Sequence, residues 1–368
     1  MKKIFRKLTA WILTASILIT FVPGFTFSAF ASGSVYNFSN TPERLYISSS
    51  NLSTYNGATI TGEWTWEYES YGSLEDLLVI DGVEVNLTIC DLALASSSQF
   101  KSNNCPSPVE LRNGATLNLT VMGDNTLAAG SCTAGIHVPE GCTLNITAAS
   151  TGKLTVKGGN GYGGGAGIGA DGSGALADSE TDIGETQTCG TINIAGGTID
   201  ASGGIFLVAG MMSLGGAGIG GTSSGEGSVS STGRITISGG NVTATGGSGA
   251  AGIGGGDCGY VESISITGGT VKAKASHGAA IGAGTDSNTS KDVACGDGMK
   301  ISITGGSVTS DGNIGYGEVV SGNSMTGGSI LIGADASMSI TDGHKIDHGD
   351  AVNYAIIPVA LNVYDGRL

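Results

Sequence analysis

A unit that recurs four times between residues 164 and 312 constrains this chain more than any other feature. One copy reads Arg234-Ile-Thr-Ile-Ser-Gly-Gly-Asn-Val-Thr-Ala-Thr-Gly-Gly, and Gly249-Ala-Ala-Gly-Ile-Gly-Gly-Gly follows it. Paired apolar residues precede each glycine corner: Ile192 and Ile194, Ile235 and Ile237, Ile264 and Ile266, Ile301 and Ile303. Ile199, Val242, Val271 or Val308 follows the corner, with mostly Asn, Ser, Thr or Lys between. Alternation with period two marks a strand with one buried face. Gly196-Gly197, Gly239-Gly240, Gly268-Gly269 and Gly305-Gly306 supply the corners, because glycine adopts backbone angles that a Cβ resists. So short a unit cannot bury its apolar face alone and has to stack on copies of itself.

Each copy ends in an elbow: Gly167-Ile168-Gly169, Gly218-Ile219-Gly220, Gly252-Ile253-Gly254 and Ala280-Ile281-Gly282. One inward Ile per elbow adds a third short wall to the two strands flanking the corner. The expected fold class is therefore all-β, a single-stranded right-handed parallel β-helix, or solenoid, with end caps. The hand follows the general preference of parallel crossovers. The corners lie 43, 29 and 37 residues apart, so a constant strand frame carries loops of unequal length, such as Asp171–Thr188 and Thr222–Thr232. Gly114-Ala-Thr-Leu-Asn-Leu-Thr-Val, Gly141-Cys-Thr-Leu-Asn-Ile-Thr and Ala134-Gly-Ile-His-Val read as degenerate earlier copies. The expected organisation is a signal peptide over 1–31, a cap region over 32–72, the array over 73–345 and a closing segment over 346–368.

The chain opens with Met1-Lys-Lys-Ile-Phe-Arg-Lys, continues through an apolar run from Leu8 to Phe21, and reaches Ala29-Phe30-Ala31. This is the pattern of a secretory signal peptide cut after Ala31, with an apolar run too short for a comfortable membrane span. The expected location is extracellular, secreted or surface-associated, with no membrane insertion after cleavage. Removing the four cationic residues takes the net charge from −15 to −19, which argues against nucleic acid and anionic membranes as partners. Glycine accounts for 66 of 368 residues; the regular Ile/Val ladder argues for packed β structure over disorder. Export permits disulfides. Cys132 with Cys142, and Cys90 with Cys105, each close a short loop and are the pairs to test. Cys189, Cys258 and Cys295 read as small buried residues.

Outside the repeat, Glu63-Trp64-Thr65-Trp66-Glu67-Tyr68-Glu69 alternates strictly, which puts Trp64, Trp66 and Tyr68 on one face of a strand. Two readings follow: an aromatic platform for stacking sugar rings, or bulky residues closing the open end of the array. Asp342, His344, Asp347, His348 and Asp350 are a candidate metal-binding cluster, although their spacing also suits turn chemistry. No cofactor is required by any motif. Calcium rolls carry a carboxylate where Gly164-Gly-Ala-Gly-Ile-Gly169 has glycine, so calcium is unsupported by the repeat and would need loop acids around Asp171, Asp178, Glu180 and Asp182. No acids pair across successive copies as glycoside hydrolysis requires, so no catalytic residue is assigned. Asn86, Asn118, Asn145 and Asn241, each in an Asn-x-Thr triplet, read as outward polar strand positions.

The ITISGGNVTATGG and GAAGIGGG patterns, with GATLNLTVMGDNTLAAG and AGIHVPEGCTLNIT upstream, resemble Gly-rich parallel β-helix repeats of secreted and surface proteins from Gram-positive bacteria. The resemblance spans roughly residues 74 to 345. It extends to carbohydrate-binding-domain proteins, among them a clostridial non-catalytic β-helix that binds acidic plant polysaccharide and calcium. It implies a pectate-lyase-like architecture and a polysaccharide or cell-surface glycan as partner. The elbows of that binder read Asp-Asp-Gly-Ile where this chain has Ala-Gly-Ile-Gly, so no ligand residues carry over. The expected function is a non-catalytic surface module for carbohydrate binding or adhesion. The alternatives are a structural spacer or adhesin stalk touching protein partners only, and a polysaccharide lyase or hydrolase.

Overall fold

Parallel pairing in near-perfect register organises the chain. The computed structural model describes residues 33–67, 76–97, 105–161, 163–172, 188–205, 215–223, 230–257, 259–285, 299–317, 329–341, 343–347, 355–356 and 361–363. The expected signal peptide lies outside these residues. Within them the structure is all-β apart from one helical turn, Leu52–Tyr55. Strands pair with the equivalent strand of the neighbouring repeat: Ile192 opposes Ile235, Ile235 opposes Ile264, and Ile264 opposes Ile301. Val242 opposes Val271 after the corner, and Ile219, Ile253 and Ile281 stack at the elbows. Like therefore sits on like in successive layers, about 4.8 Å apart.

These pairings form two sheets rather than three walls. The larger, of 17 strands, contains both strand rows that flank the corners. One row runs through Thr116–Met122, Thr143–Ile146, Thr191–Ile194, Ser230–Ile237 and Gly259–Ile266. The other runs through Asp124–Ala128, Lys153–Lys157, Thr198–Ser202, Asn241–Thr245 and Thr270–Lys274. Two long strands, Glu84–Ser97 and Lys300–Asp311, pair with both rows. Twelve parallel strands thereby join in one closed, barrel-like hydrogen-bonding circuit. The second sheet has 10 parallel strands, from Leu45–Ile47 to Ile346–Asp347, and contains the elbows.

The expectation of a single-stranded right-handed β-helix with three separate walls is corrected on this point. The physical reason lies at the corner, where each glycine pair was read as a break between strands. In Lys300–Asp311 the strand continues through Gly305-Gly306, with a register shift against the next strand between Ile303 and Gly305. Gly306 takes φ +83, so a glycine pair supports a bulge that keeps the ladder intact. Continuity at the two long strands is what joins the rows into one sheet.

Both sheets contribute to a single apolar core. Ile235, Ile237, Val242, Ala244 and Ile253, all from one repeat, are at most 1% exposed. In the segment expected to form a cap, Val35–Asn37 pairs in parallel with Ala58–Glu67, which in turn pairs in parallel with Glu84–Ser97. Phe38, beside these strands, is fully buried and stacks on Trp64 at 5.8 Å between ring centroids.

Candidate functional site

Among the described residues, Glu110, His137 and Asp171 are the side chains that converge as potential ligands, their donor atoms lying within 4.8 Å of one another. Three successive layers supply them. Glu110 lies in Val109–Arg112 and His137 in Ile136–His137, and the two are direct ladder neighbours in the second sheet. The next rung is Gly169, and Asp171 follows it by two residues. Beyond it the rung is Gly220, Gly254, Gly282 and Gly315. Glu110 and His137 thus occupy a position that the Gly-rich repeats keep empty of side chains.

His137 Nδ1 lies 2.7 Å from Glu110 Oε2 and 3.5 Å from Asp171 Oδ2. The imidazole and the Glu110 carboxylate are each about nine-tenths buried. Asp171 Oδ1 accepts the Ala134 backbone N–H at 2.6 Å and the Ser107 hydroxyl at 3.4 Å. Arg112 Nε approaches Glu110 Oε1 at 3.4 Å, and its guanidinium also bonds Asp76. Asp76 in turn accepts the Ser107 N–H at 2.8 Å. His137 Nε2 is buried and makes no hydrogen bond.

The electrostatics follow from three carboxylates under cover. Burial opposes the charged imidazole, but Asp171 and Glu110, with a smaller contribution from Asp76, outweigh it and push His137 up to about 9. Burial pushes the Asp171 carboxyl up to about 6 against the pull of His137, and burial also raises Asp76. The group can therefore hold a cation, whether a proton on the imidazole or a metal ion. It lacks the order of a nucleophilic relay, because the Ser107 hydroxyl bonds the carboxylate and not the imidazole.

The positions expected from the sequence fall elsewhere. Trp64 and Trp66 are half-buried and pack against the core, while Tyr68 lies outside the described residues. Of the expected metal cluster, His344 is exposed and Asp347 pairs with Lys345 at 3.1 Å; Asp342, His348 and Asp350 lie outside the described residues. The acids Asp178, Glu180 and Asp182 also lie outside them, whereas Asp171 joins the buried group. Cys90 and Cys142, each expected in one of the two pairs, are thiols in the structure. Cys90 sits on a strand opposite Met122, and Cys142 is buried. Cys189 is fully buried, and burial pushes its thiol up to about 12; Cys258 and Cys295 lie outside the described residues.

Sequence reasoning missed Glu110 and His137. Superposing the elbows would have exposed them, since Val109-Glu110 and Ile136-His137 align with Ile168-Gly169, and a charged pair on a glycine rung stands out. Comparisons with protein-family models, with curated proteins and with solved structures found nothing that matches this chain.

Proposed function

We propose that this chain is a secreted or cell-surface module that binds polysaccharide along the outer face of its larger sheet. The observation that carries the reading is a pair of outward rows in strict register. Asp124, Lys153, Thr198, Asn241, Thr270 and Ser307 form one row. Thr126, Thr155, Asp200, Thr243, Lys272 and Thr309 form the other, two residues along each strand. Short hydroxyl, carboxamide and charged groups thus recur at a spacing of about 4.8 Å on a rigid frame. That spacing is close to one sugar unit of an extended chain, so a polysaccharide laid across the layers meets equivalent donors and acceptors at each unit. Short side chains lose little rotamer freedom when they engage, which favours a rigid polar face as a binding surface. Export is supported by the basic, apolar and Ala-x-Ala sequence of residues 1–31.

Retention of the purified protein on a panel of immobilised polysaccharides tests this. The expected result is retention on one or a few polymers, lost when Thr198→Arg and Thr243→Arg place bulk on the face. Loss with Trp64→Ala and Trp66→Ala alone would transfer the site to the aromatic strip. Failure to bind any polymer, from protein that melts cooperatively, would overturn the reading and favour a role in contacting proteins.

A further inference from the structure

We propose that Glu110, His137 and Asp171 form a site for one divalent transition-metal ion, of the zinc class, built across three layers of the second sheet. The donor set fits that class: one imidazole nitrogen and two carboxylates are the ligands such ions accept, with a water completing the sphere. So does the geometry. Ligands about 2.0–2.2 Å from a tetrahedral ion stand about 3.4 Å from one another. Here His137 Nδ1 is 3.5 Å from Asp171 Oδ2 and 2.7 Å from Glu110 Oε2. The His137–Glu110 distance has to open to admit the ion, and all three donor atoms already lie within 4.8 Å of one another.

Charge points the same way. Arg112, shared between Asp76 and Glu110, offsets one of the three carboxylates Asp76, Glu110 and Asp171, which leaves two negative charges facing one imidazole. A proton on His137 offsets one negative charge, whereas a divalent ion with neutral imidazole offsets both. The ion would replace the hydrogen bond between His137 Nδ1 and Glu110 Oε2.

The placement is specific to these layers. Along this rung Tyr46 and Val79 precede Glu110 and His137, the adjacent pair of potential ligands, and the third ligand arrives two residues past Gly169, the first of the five glycine rungs. At Gly169 a Cβ would lie 1.8 Å from the Gly220 carbonyl oxygen, so no ligand can be mounted on the rung itself and Asp171 reaches back from beyond it. Asp171 is already aimed by its bonds to the Ala134 N–H and the Ser107 hydroxyl. Metal ligands are commonly oriented by such outer contacts.

Calorimetric titration of the chelator-treated full chain with zinc chloride tests the site. One ion per chain is expected, with affinity reduced about tenfold or more in Asp171→Asn and in His137→Gln. The pair His344→Ala and His348→Ala should leave the affinity unchanged. Absence of binding, or binding that survives Asp171→Asn and His137→Gln but is lost in His344→Ala and His348→Ala, would overturn the proposal. Should the His137 variant fail to fold, cobalt titration of the unaltered chain decides. A visible absorption band that Asp171→Asn abolishes supports the site, and no band refutes it.

Discussion

A single Cβ separates the tolerant glycines from the indispensable ones. Gly254 takes φ +141, and a Cβ there would lie 1.8 Å from the Gly282 carbonyl oxygen. Its neighbour is backbone, which cannot rotate away. Gly254→Ala should therefore destabilise the protein by about 3 kcal/mol, from strain and overpacking together. Gly141 also has positive φ, at +81, but open space around its Cβ position. Gly141→Ala should cost only the backbone strain, about 1 kcal/mol. Equal losses in urea denaturation would show that backbone conformation, not close approach of the layers, is the constraint. At His137 the residue scale is electrostatic. In metal-free protein its pKa of about 9 lies above the unfolded value of 6.5, so the folded state binds the proton more tightly. That stability is fully present below pH 6.5 and is lost as pH rises through 9, by an amount on the order of 3 kcal/mol. Thermal melts with chelator should show this fall in the native chain and a flatter profile over the same window in His137→Gln. An equal fall in both would mean that His137 titrates without this coupling.

Strands in this fold are joined by more than backbone bonds. Asn86, Asn118, Asn145 and Asn193 lie one per layer on the outer face of the first row. Asn118 Nδ2 donates to Asn86 Oδ1 at 3.1 Å, Asn145 to Asn118 at 2.7 Å, and Asn193 to Asn145 at 2.8 Å. The Asn86 carboxamide continues the chain by donating to Asn56 Oδ1 at 2.9 Å. The alternation identified Asn86, Asn118 and Asn145 as outward polar positions; that their side chains bond one another depends on register, which periodicity alone does not set. Asn145→Ala breaks two of these bonds at once and should cost about 1–2 kcal/mol. Combined with Asn118→Ala, the loss should be smaller than the sum, because the two residues share a bond. Strict additivity in a double-mutant cycle would argue that water satisfies these amides equally well.

One core runs from Phe38 to Ile340 without interruption. Ile253, fully buried in the second sheet, lies many layers from the only tryptophans after residue 31, Trp64 and Trp66. Ile253→Ala should lower stability by about 2–5 kcal/mol, and tryptophan fluorescence should report it at the same denaturant midpoint as far-ultraviolet circular dichroism. Separate midpoints would show that the layers unfold in groups, as repeat arrays can. Strand content, the inward isoleucines and valines, and the stacking of like on like were all legible in the sequence, because they depend on period-two alternation and on units too short to bury their own apolar face. Three features were not legible. The glycine corners join strand rows in the long strands instead of separating them, since a bulge and a break use the same residues. Trp64 turns its ring onto Phe38, which lies 26 positions away in sequence. Glu110, His137 and Asp171 meet only because equivalent elbows of successive repeats fall on adjacent rungs, whereas along the chain they are separated by 27 and 34 residues. Local spacing determined the elements and their buried faces. Tertiary structure alone decided which layers touch, and with that where buried charges converge, because contact between repeats is set by backbone pairing across loops of unequal length.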